Sequence, residues 1–193
     1  MTKAAKNEDA RLCAAALRLA AAQGWERITL DKVAKAAKLP VAKIKARFKT
    51  ANGLVPVIAA EIDREAFAVK TSGGAHDRLF DLLMARFDIL QKHRKAVASI
   101  ESTARRDRAL ACILSRAAMD GAYRLIEAGK LDGALPRPVV AVGLIAVSGW
   151  AFAAWRTDKS RDMAKTMAAL DRALRWADRG VAFLTQCSSR AKA

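Results

Sequence analysis

The most constraining feature of the sequence is a pair of short helical segments separated by a tight break. Residues 30–37 and 41–48 have helical spacing, and the pair Leu39-Pro40 lies between them. Because proline cannot continue a helix but suits the first turn of the next one, the chain must break here. The apolar positions that can close a small shared core are Val33, Ala34, Ala37, Leu39, Ile44 and Phe48. This pattern predicts a helix-turn-helix whose second helix protrudes.

Positive charge is concentrated on the same stretch. Residues 27–49 carry eight Lys and Arg against one acid, Asp31, within a chain of 35 Lys and Arg and 19 Asp and Glu, net +16. A protruding cationic helix suits contact with nucleic-acid phosphates. Charge alone favours a solvated basic face on a small helical domain. Charge together with the two-helix spacing favours nucleic acid.

The remaining sequence predicts an all-α chain of about nine helices. It is 53% hydrophobic and contains only four prolines, and no long run alternates apolar and polar residues. Helices are predicted over 8–23, 30–37, 41–48, 51–70, 76–91, 94–104, 106–128, 137–155, and from Asp158 or Ser160 to about residue 186, with polar tails at 1–7 and 187–193.

The clearest linker is Thr-Ser-Gly-Gly at 71–74. It divides the chain into a helix-turn-helix domain, 1–50, a connecting helix, 51–72, and a C-terminal domain, 73–193.

Cysteine usage and the N-terminus predict a cytoplasmic protein. Three widely spaced cysteines without a C-x-x-C favour neither disulfides nor a zinc site. Residues 1–9 are polar, so no signal peptide is expected there. Residues 138–155 contain no charge and reach the length of a membrane span, but they are rich in small residues. They are therefore interpreted as a buried helix, with no integral membrane segment.

Catalytic and metal-binding patterns are not found in the sequence. His76 and His93 are seventeen residues apart and have no metal-ligand partner at suitable spacing. No P-loop, G-x-S-x-G or H-E-x-x-H occurs. We expect no enzyme activity, no catalytic or metal-binding residue and no cofactor.

The segment 17–54 resembles the first four helices of TetR-family transcriptional regulators. The matching features are Gly24-Trp25 after the first helix, Thr29 before the second, the pair Val33-Ala34, and the final Phe48 and Leu54. The resemblance implies a homodimer that pairs through its last two helices. It also implies a palindromic DNA operator and an unknown small apolar ligand in the C-terminal domain.

The same resemblance gives the candidate DNA contacts. They are Thr29, Lys38, Val41, Lys43, Lys45, Arg47 and Lys49. The sequence departs from the family pattern at four positions. Lys38 replaces the turn glycine, Pro40 the usual Ser or Thr cap, Lys45 a common tyrosine and Ala51 a common lysine.

A second resemblance lies at 155–172. An aromatic residue, D-x-S-x-D and T-x-x-x-L-D-R follow one another there, as in the ubiquinone-biosynthesis lipid-binding family on a TetR architecture. That resemblance implies binding of isoprenoid lipid, with DNA binding weakened or absent. Helix capping, with Asp158 or Ser160 as N-cap and Asp162 in the first turn, is the favoured physical role of D-x-S-x-D, whichever family is right.

Five aromatic residues are candidates to line an apolar pocket between helices. They are Phe87, Tyr123, Trp150, Phe152 and Trp155. Aromatic residues at helical spacing are more often core. Trp176, on the last helix, is expected in a dimer interface or in the core.

Overall fold

The computed structural model describes residues 3–133 and 135–190, with side chains for 7–133 and 135–186. The described residues form nine α-helices and two 3-10 turns, with no strand among them, which confirms the predicted all-α class. The helices are α1 (Lys3–Gln23), α2 (Leu30–Ala37), α3 (Val41–Arg47), α4 (Val55–Ala66), α5 (Ala75–Lys92), α6 (Arg94–Ala104), α7 (Arg108–Ala128), α8 (Arg137–Thr157) and α9 (Ala164–Arg190). The first 3-10 turn is Trp25–Arg27 and the second is Ala51–Leu54.

The chain folds as two compact units. Unit 1 contains the residues up to Glu65 together with Asp88–Ala118. In it, α1 packs against α2 and α6, and α2 packs against α3. Its core includes the fully buried side chains of Leu12, Trp25, Val33 and Leu54. The helix-turn-helix is therefore held on one side by a long apolar helix, α1.

Unit 2 contains Ala66–Phe87 and the residues from Met119 onward. Its strongest pairing joins α8 to α9. The fully buried side chains of this unit include Leu82, Leu83, Leu125, Trp155, Leu170 and Leu174.

Several helix ends differ from the sequence prediction. The expected helix 51–70 begins as a 3-10 turn, continues as α4 and ends at Ala66. The expected tails are helical over the described parts of 1–7 and 187–193, and residues 1, 2 and 191–193 lie outside the described residues. The last helix begins at Ala164 rather than at Asp158 or Ser160.

Asp158 nevertheless caps α9 from the preceding loop. Its carboxylate is buried and accepts hydrogen bonds from the amide and the hydroxyl of Thr166, both at 2.9 Å, and from the amide of Ser160 at 3.0 Å. The hydroxyl of Ser160 also donates to this carboxylate, and that bond, together with the others, holds the pKa of Asp158 well below its usual range. Ser160 Oγ accepts from the amide of Ala164 at 3.2 Å. The D-x-S-x-D segment therefore has the predicted capping role, although neither residue occupies the N-cap position itself.

The apolar helix α8 is buried on one face only. Ala141, Leu144, Val147, Ala151 and Trp155 are buried. Only 28% of its most apolar window is buried, which corrects the interpretation of 138–155 as a buried helix. By length and composition it is the one described helix that could cross a membrane. Such a single helix is weak evidence for a span, because helices of soluble proteins pass the same test.

Candidate nucleic-acid interface

The predicted helix-turn-helix is present, and five of its six predicted core residues are buried, whereas Leu39 in the turn is half-buried. Val33, Ala34 and Ala37 of α2 are buried, and so are Ile44 and Phe48. Ile44 fixes one face of α3 against α2, and Phe48, in extended conformation directly after α3, completes the core, so the opposite face of α3 is left to solvent.

The turn between α2 and α3 is built on a left-handed lysine. Lys38 has φ 54° and ψ 47°, a conformation that glycine adopts without steric cost. The amide of Leu39 donates to the carbonyl of Ala34 at 2.9 Å, which closes a Schellman-type end. Arg11 Nη2 donates to the carbonyls of Ala37 and Lys38 at 2.6 and 2.8 Å. The guanidinium on α1 thus holds the turn in place of the missing glycine.

The two helix starts of the motif are capped differently. Thr29 is exposed and its hydroxyl oxygen accepts from the amide of Lys32 at 3.3 Å, as its predicted N-cap position requires. Pro40 at the start of α3 offers no side-chain cap. Val41, the first residue of α3, is half-buried. The orphan amides of α2 are therefore partly satisfied, whereas α3 begins without a side-chain acceptor.

Two predicted DNA contacts on α3 pair with acids of α1. Lys43 Nζ lies 2.6 Å from the carboxylate of Glu8; the side chain of Lys43 is exposed and that of Glu8 is half-buried. Arg47 forms a two-pronged ion pair with Asp9, whose side chain is nearly buried. Asp9 raises the pKa of Arg47 through that hydrogen bond. The second pair ties α3 to α1, while the first is a surface pair of small net strength.

Lys45 pairs within the motif itself. Its Nζ lies 2.9 Å from the carboxylate of Asp31 in the first turn of α2. The hydrogen bond from Lys45 lowers the pKa of Asp31. All three cations of α3 thus have an acidic neighbour in unit 1. Lys38 and Lys49 are exposed, and neither forms an ion pair within the described part of the chain.

An open groove of about 430 Å³ lies beside α3. It is bounded by the start of α2, the end of α3 and the second 3-10 turn, and Thr29, Lys45, Lys49 and Thr50 line it. The lining also includes Asp31, whose carboxylate lies 2.9 Å from Lys45 Nζ. The two ammonium groups, the two hydroxyls and the positive end of α2 outnumber this one acid, and they suit an oxyanion such as a backbone phosphate that replaces Asp31 as the partner of Lys45. Three predicted contacts are therefore brought together at one concave surface, whereas Lys38 lies at the turn, outside the lining.

Solved structures with the same fold are bacterial transcriptional regulators. A TetR regulator from Nitrosomonas europaea ATCC 19718 matches with a TM-score of 0.69 and 19% identity, covering 88% of this chain and 97% of that one. A TetR regulator from Rhodococcus sp. RHA1 matches with a TM-score of 0.67 and 16% identity, covering 91% and 97%. The fold is TetR-like. No protein-family model and no curated protein matches the sequence.

At these identities the TetR-like likeness establishes the fold alone. DNA binding, ligand binding and dimerisation remain inferences from that fold. The resemblance of 155–172 to the ubiquinone-biosynthesis lipid-binding family is not confirmed by these comparisons.

In unit 2 of the TetR-like fold, three of the five candidate pocket residues form one aromatic cluster. The ring of Trp155 stacks on Phe152 at a centroid distance of 5.3 Å and meets Phe87 at 6.4 Å. Phe87 and Trp155 are buried, and Tyr123 and Phe152 are half-buried. Trp150 is 57% exposed on the outer face of α8. The cluster packs as core, and a pocket-lining role for these residues stays a prediction.

Sequence reasoning missed the residues of α1 that organise the TetR-like helix-turn-helix. Glu8, Asp9 and Arg11 all act on α2 or α3. One signal could have pointed to Asp9, because it shares a face with the apolar Leu12 and Ala16 at helical spacing. A carboxylate on an apolar face needs a buried or half-buried partner. No signal in the sequence identifies Arg47 as that partner.

Proposed function

We propose that the chain is a homodimeric transcriptional regulator that binds a palindromic DNA operator through α3 and responds to a small apolar ligand. The single observation that carries the proposal is a TetR-like fold whose second motif helix carries Lys43, Lys45 and Arg47. Lys45 also reaches the groove beside α3. In such a dimer the two copies of α3 enter successive major grooves about 34–36 Å apart.

The DNA contacts divide into two kinds. Thr29, Lys49 and Thr50 line the groove and are proposed to hold backbone phosphates. Val41 and Lys43 face the bases, since lysine can donate to guanine and an apolar side chain can contact a thymine methyl group. To bind DNA, Lys43 and Lys45 must leave their ion pairs with Glu8 and Asp31. This is feasible because an exposed ion pair contributes only ~0–1 kcal/mol to stability. Arg47 holds α3 against α1 and so keeps α3 in position at the interface.

Apolar side chains on the outer faces of α8 and α9 support the proposed dimer. Val142 and Trp150 of α8 are 58% and 57% exposed, and Trp176 and Phe183 of α9 are 61% and 65% exposed. Gly143, Gly149 and Gly180 lie on the same two helices with open space where a Cβ would be. Such a surface costs free energy in water and fits a second copy in a four-helix bundle.

The decisive experiment is a binding titration of the full-length protein on DNA from around its own gene. We expect a specific site that survives excess competitor DNA at about 0.15 M salt. The double variant Lys43→Gln/Lys45→Gln should lose at least tenfold in affinity. The control Lys95→Gln removes an exposed charge on α6 and should bind like the wild type. Binding that competitor DNA abolishes at every site would contradict the proposal.

A second candidate function is binding of an isoprenoid lipid by the same fold, without DNA binding. The observation that favours it is that every cation of α3 already has an acidic partner in unit 1. Organic extraction and mass spectrometry of the purified protein test it. A stoichiometric co-purifying polyprenyl lipid, together with no specific DNA site, would replace the first proposal.

A further inference from the structure

The turn between α6 and α7 belongs to the same compact unit as the helix-turn-helix. It contains Arg105, Arg106, Asp107 and Arg108. All three arginines are exposed. No sequence motif assigns a function to this turn, and the groove beside α3 does not include it.

Hydrogen bonds fix this turn to the second 3-10 turn, Ala51–Leu54. Trp25 Nε1 donates to Asn52 Oδ1 at 3.0 Å, and Asn52 Nδ2 donates to Asp107 Oδ2 at 2.9 Å. The amide of Trp25 donates to Ser99 Oγ of α6 at 2.6 Å. Trp25 is itself only 2% exposed. Trp25 therefore anchors α6 through its backbone amide and the turn through its indole and Asn52, so the turn has a defined place beside the second 3-10 turn.

The connection brings the turn close to the groove beside α3. Asn52 follows directly on Thr50 and Ala51, which line the groove. Arg106 and Arg108 flank Asp107, and consecutive Cα atoms are about 3.8 Å apart. The two arginines therefore lie beside the same 3-10 turn whose first residue closes the groove.

The charges in the turn are not equally available. Arg105 is paired with Glu101 at 2.7 Å. Asp107 accepts from Asn52 and from the amide of Leu110 at 3.1 Å, and these bonds lower its pKa. Arg106 and Arg108 form no ion pair among the described residues, unlike Lys43, Lys45 and Arg47 of α3. Neither guanidinium group is held by an acid in the described part of the chain, because Asp107, the acid between them, is hydrogen-bonded to Asn52 and Leu110 instead.

We propose that Arg106 and Arg108, which we call the arginine pair, bind the phosphate backbone of duplex DNA beyond the bases that α3 reads. The inference rests on the proposed function, since it takes duplex DNA as the partner. Arginine suits this role because its planar, permanently charged head donates two hydrogen bonds to a phosphate. The contact is independent of sequence, so it widens the footprint and adds affinity without adding specificity.

The test uses the full-length dimer and a random-sequence duplex at low salt, so that it does not depend on an identified operator. The double variant Arg106→Gln/Arg108→Gln should bind about five- to tenfold more weakly and show a shallower dependence of log K on log salt, by about 1–2 per protomer. The variant Arg106→Lys/Arg108→Lys keeps both charges and should retain most of the affinity and the slope.

A matched control removes two charges elsewhere on the same helices. Lys95 of α6 and Arg116 of α7 are exposed, and Lys95→Gln/Arg116→Gln should match the wild type in affinity and slope. A second arm compares a duplex that ends at the footprint of α3 with one that is longer by about half a helical turn on each side. The wild type should gain affinity on the longer duplex, and the glutamine variant should not.

The outcomes separate this inference from the proposed function. If the wild type and the glutamine variant have equal affinity and an equal salt dependence, the proposed role of the arginine pair is wrong, whether or not an operator exists. An equal loss in the control variant also overturns it, because the effect would then be net charge alone. If the wild type binds random duplex through the arginine pair but has no specific site, the proposed regulatory function is wrong and the proposed role of the arginine pair is retained. A wild type that binds no duplex at low salt overturns both.

Discussion

At the residue scale, the turn of the helix-turn-helix is where the chain departs most clearly from ideal local chemistry. Lys38 adopts the left-handed conformation, in which its Cβ crowds the backbone. Arg11 offsets part of that strain by bonding the two adjacent carbonyls. The turn is therefore maintained by a contact from α1 rather than by its own sequence.

Replacing Lys38 with glycine should stabilise the protein. We expect Lys38→Gly to raise the free energy of unfolding by about 0.5–1 kcal/mol, because relief of the left-handed strain outweighs the added freedom of the unfolded chain. Urea denaturation followed by circular dichroism measures it. Lys35→Gly, in the right-handed interior of α2, should instead lose about 1 kcal/mol. If both variants lose stability equally, the strain argument is wrong.

The pair between Glu8 and Lys43 gives a second prediction at this scale. Glu8→Gln frees the ammonium group of Lys43 and should tighten DNA binding about two- to fivefold, since a surface pair contributes under about 1 kcal/mol. Fluorescence anisotropy on a labelled duplex measures it. Glu26→Gln changes the net charge by the same amount from the exposed first 3-10 turn. A similar gain in that control would show that total charge, and not release of Lys43, sets the affinity.

At the element scale, the predictable part of this molecule is the part set by local chemistry. Periodicity and breakers such as Gly24 and Pro40 predict helix type and most helix positions. The 3-10 turn Ala51–Leu54 was missed because it depends on the backbone bond from Gly53 to Thr50 and on the side-chain bond from Trp25 to Asn52, neither of which periodicity registers. The start of α9 was misplaced because Asp158 caps from outside the N-cap position.

The residues of the candidate interface could be predicted from the sequence, but their ion-pair partners could not. The motif and its cations follow from residues 27–49, which are close together in sequence. The pair of Lys43 with Glu8 and that of Arg47 with Asp9 join residues 35 and 38 positions apart. Such pairings depend on how α1 crosses α3, and a single sequence does not contain that angle.

The first turn of α5 and helix α9 are joined by a titratable contact. His76 Nδ1 lies 2.8 Å from Asp178 and its Nε2 lies 3.4 Å from Asp171, which also pairs with Arg175. The hydrogen bond to Asp178 raises the pKa of His76 above its ordinary value near 6.5. The protonated imidazole therefore ties α5 to α9.

This contact makes stability depend on pH in a definite direction. Because the folded pKa is the higher one, the contribution of His76 is fully present below about pH 6.5 and is lost as pH rises through the folded value. The thermal midpoint of His76→Gln should lie below that of the wild type at pH 6 and converge with it at pH 9. A constant difference across the pH range would contradict the titration argument.

At the scale of the whole molecule, the outer faces of α8 and α9 predict the oligomeric state. Trp176→Glu places a charge in the proposed interface and should convert the dimer to a monomer, as measured by light scattering after size exclusion. Val69→Glu alters a 42% exposed apolar residue outside these two helices and should leave the mass unchanged. A wild type that is already monomeric at micromolar concentration would remove the basis for two recognition helices acting together.

The glycines on those faces have a consequence for how the protein behaves on dilution. Gly143, Gly149 and Gly180 each weaken an isolated helix by about 1 kcal/mol relative to alanine, and nothing in the single chain requires them. In the proposed dimer they allow the backbone of a second copy to approach closely. The melting temperature of the protein should therefore rise with its concentration, as mass action demands when folding and assembly are linked. In a cell that makes only a few copies, the protein would therefore be less stable than in a cell that makes many.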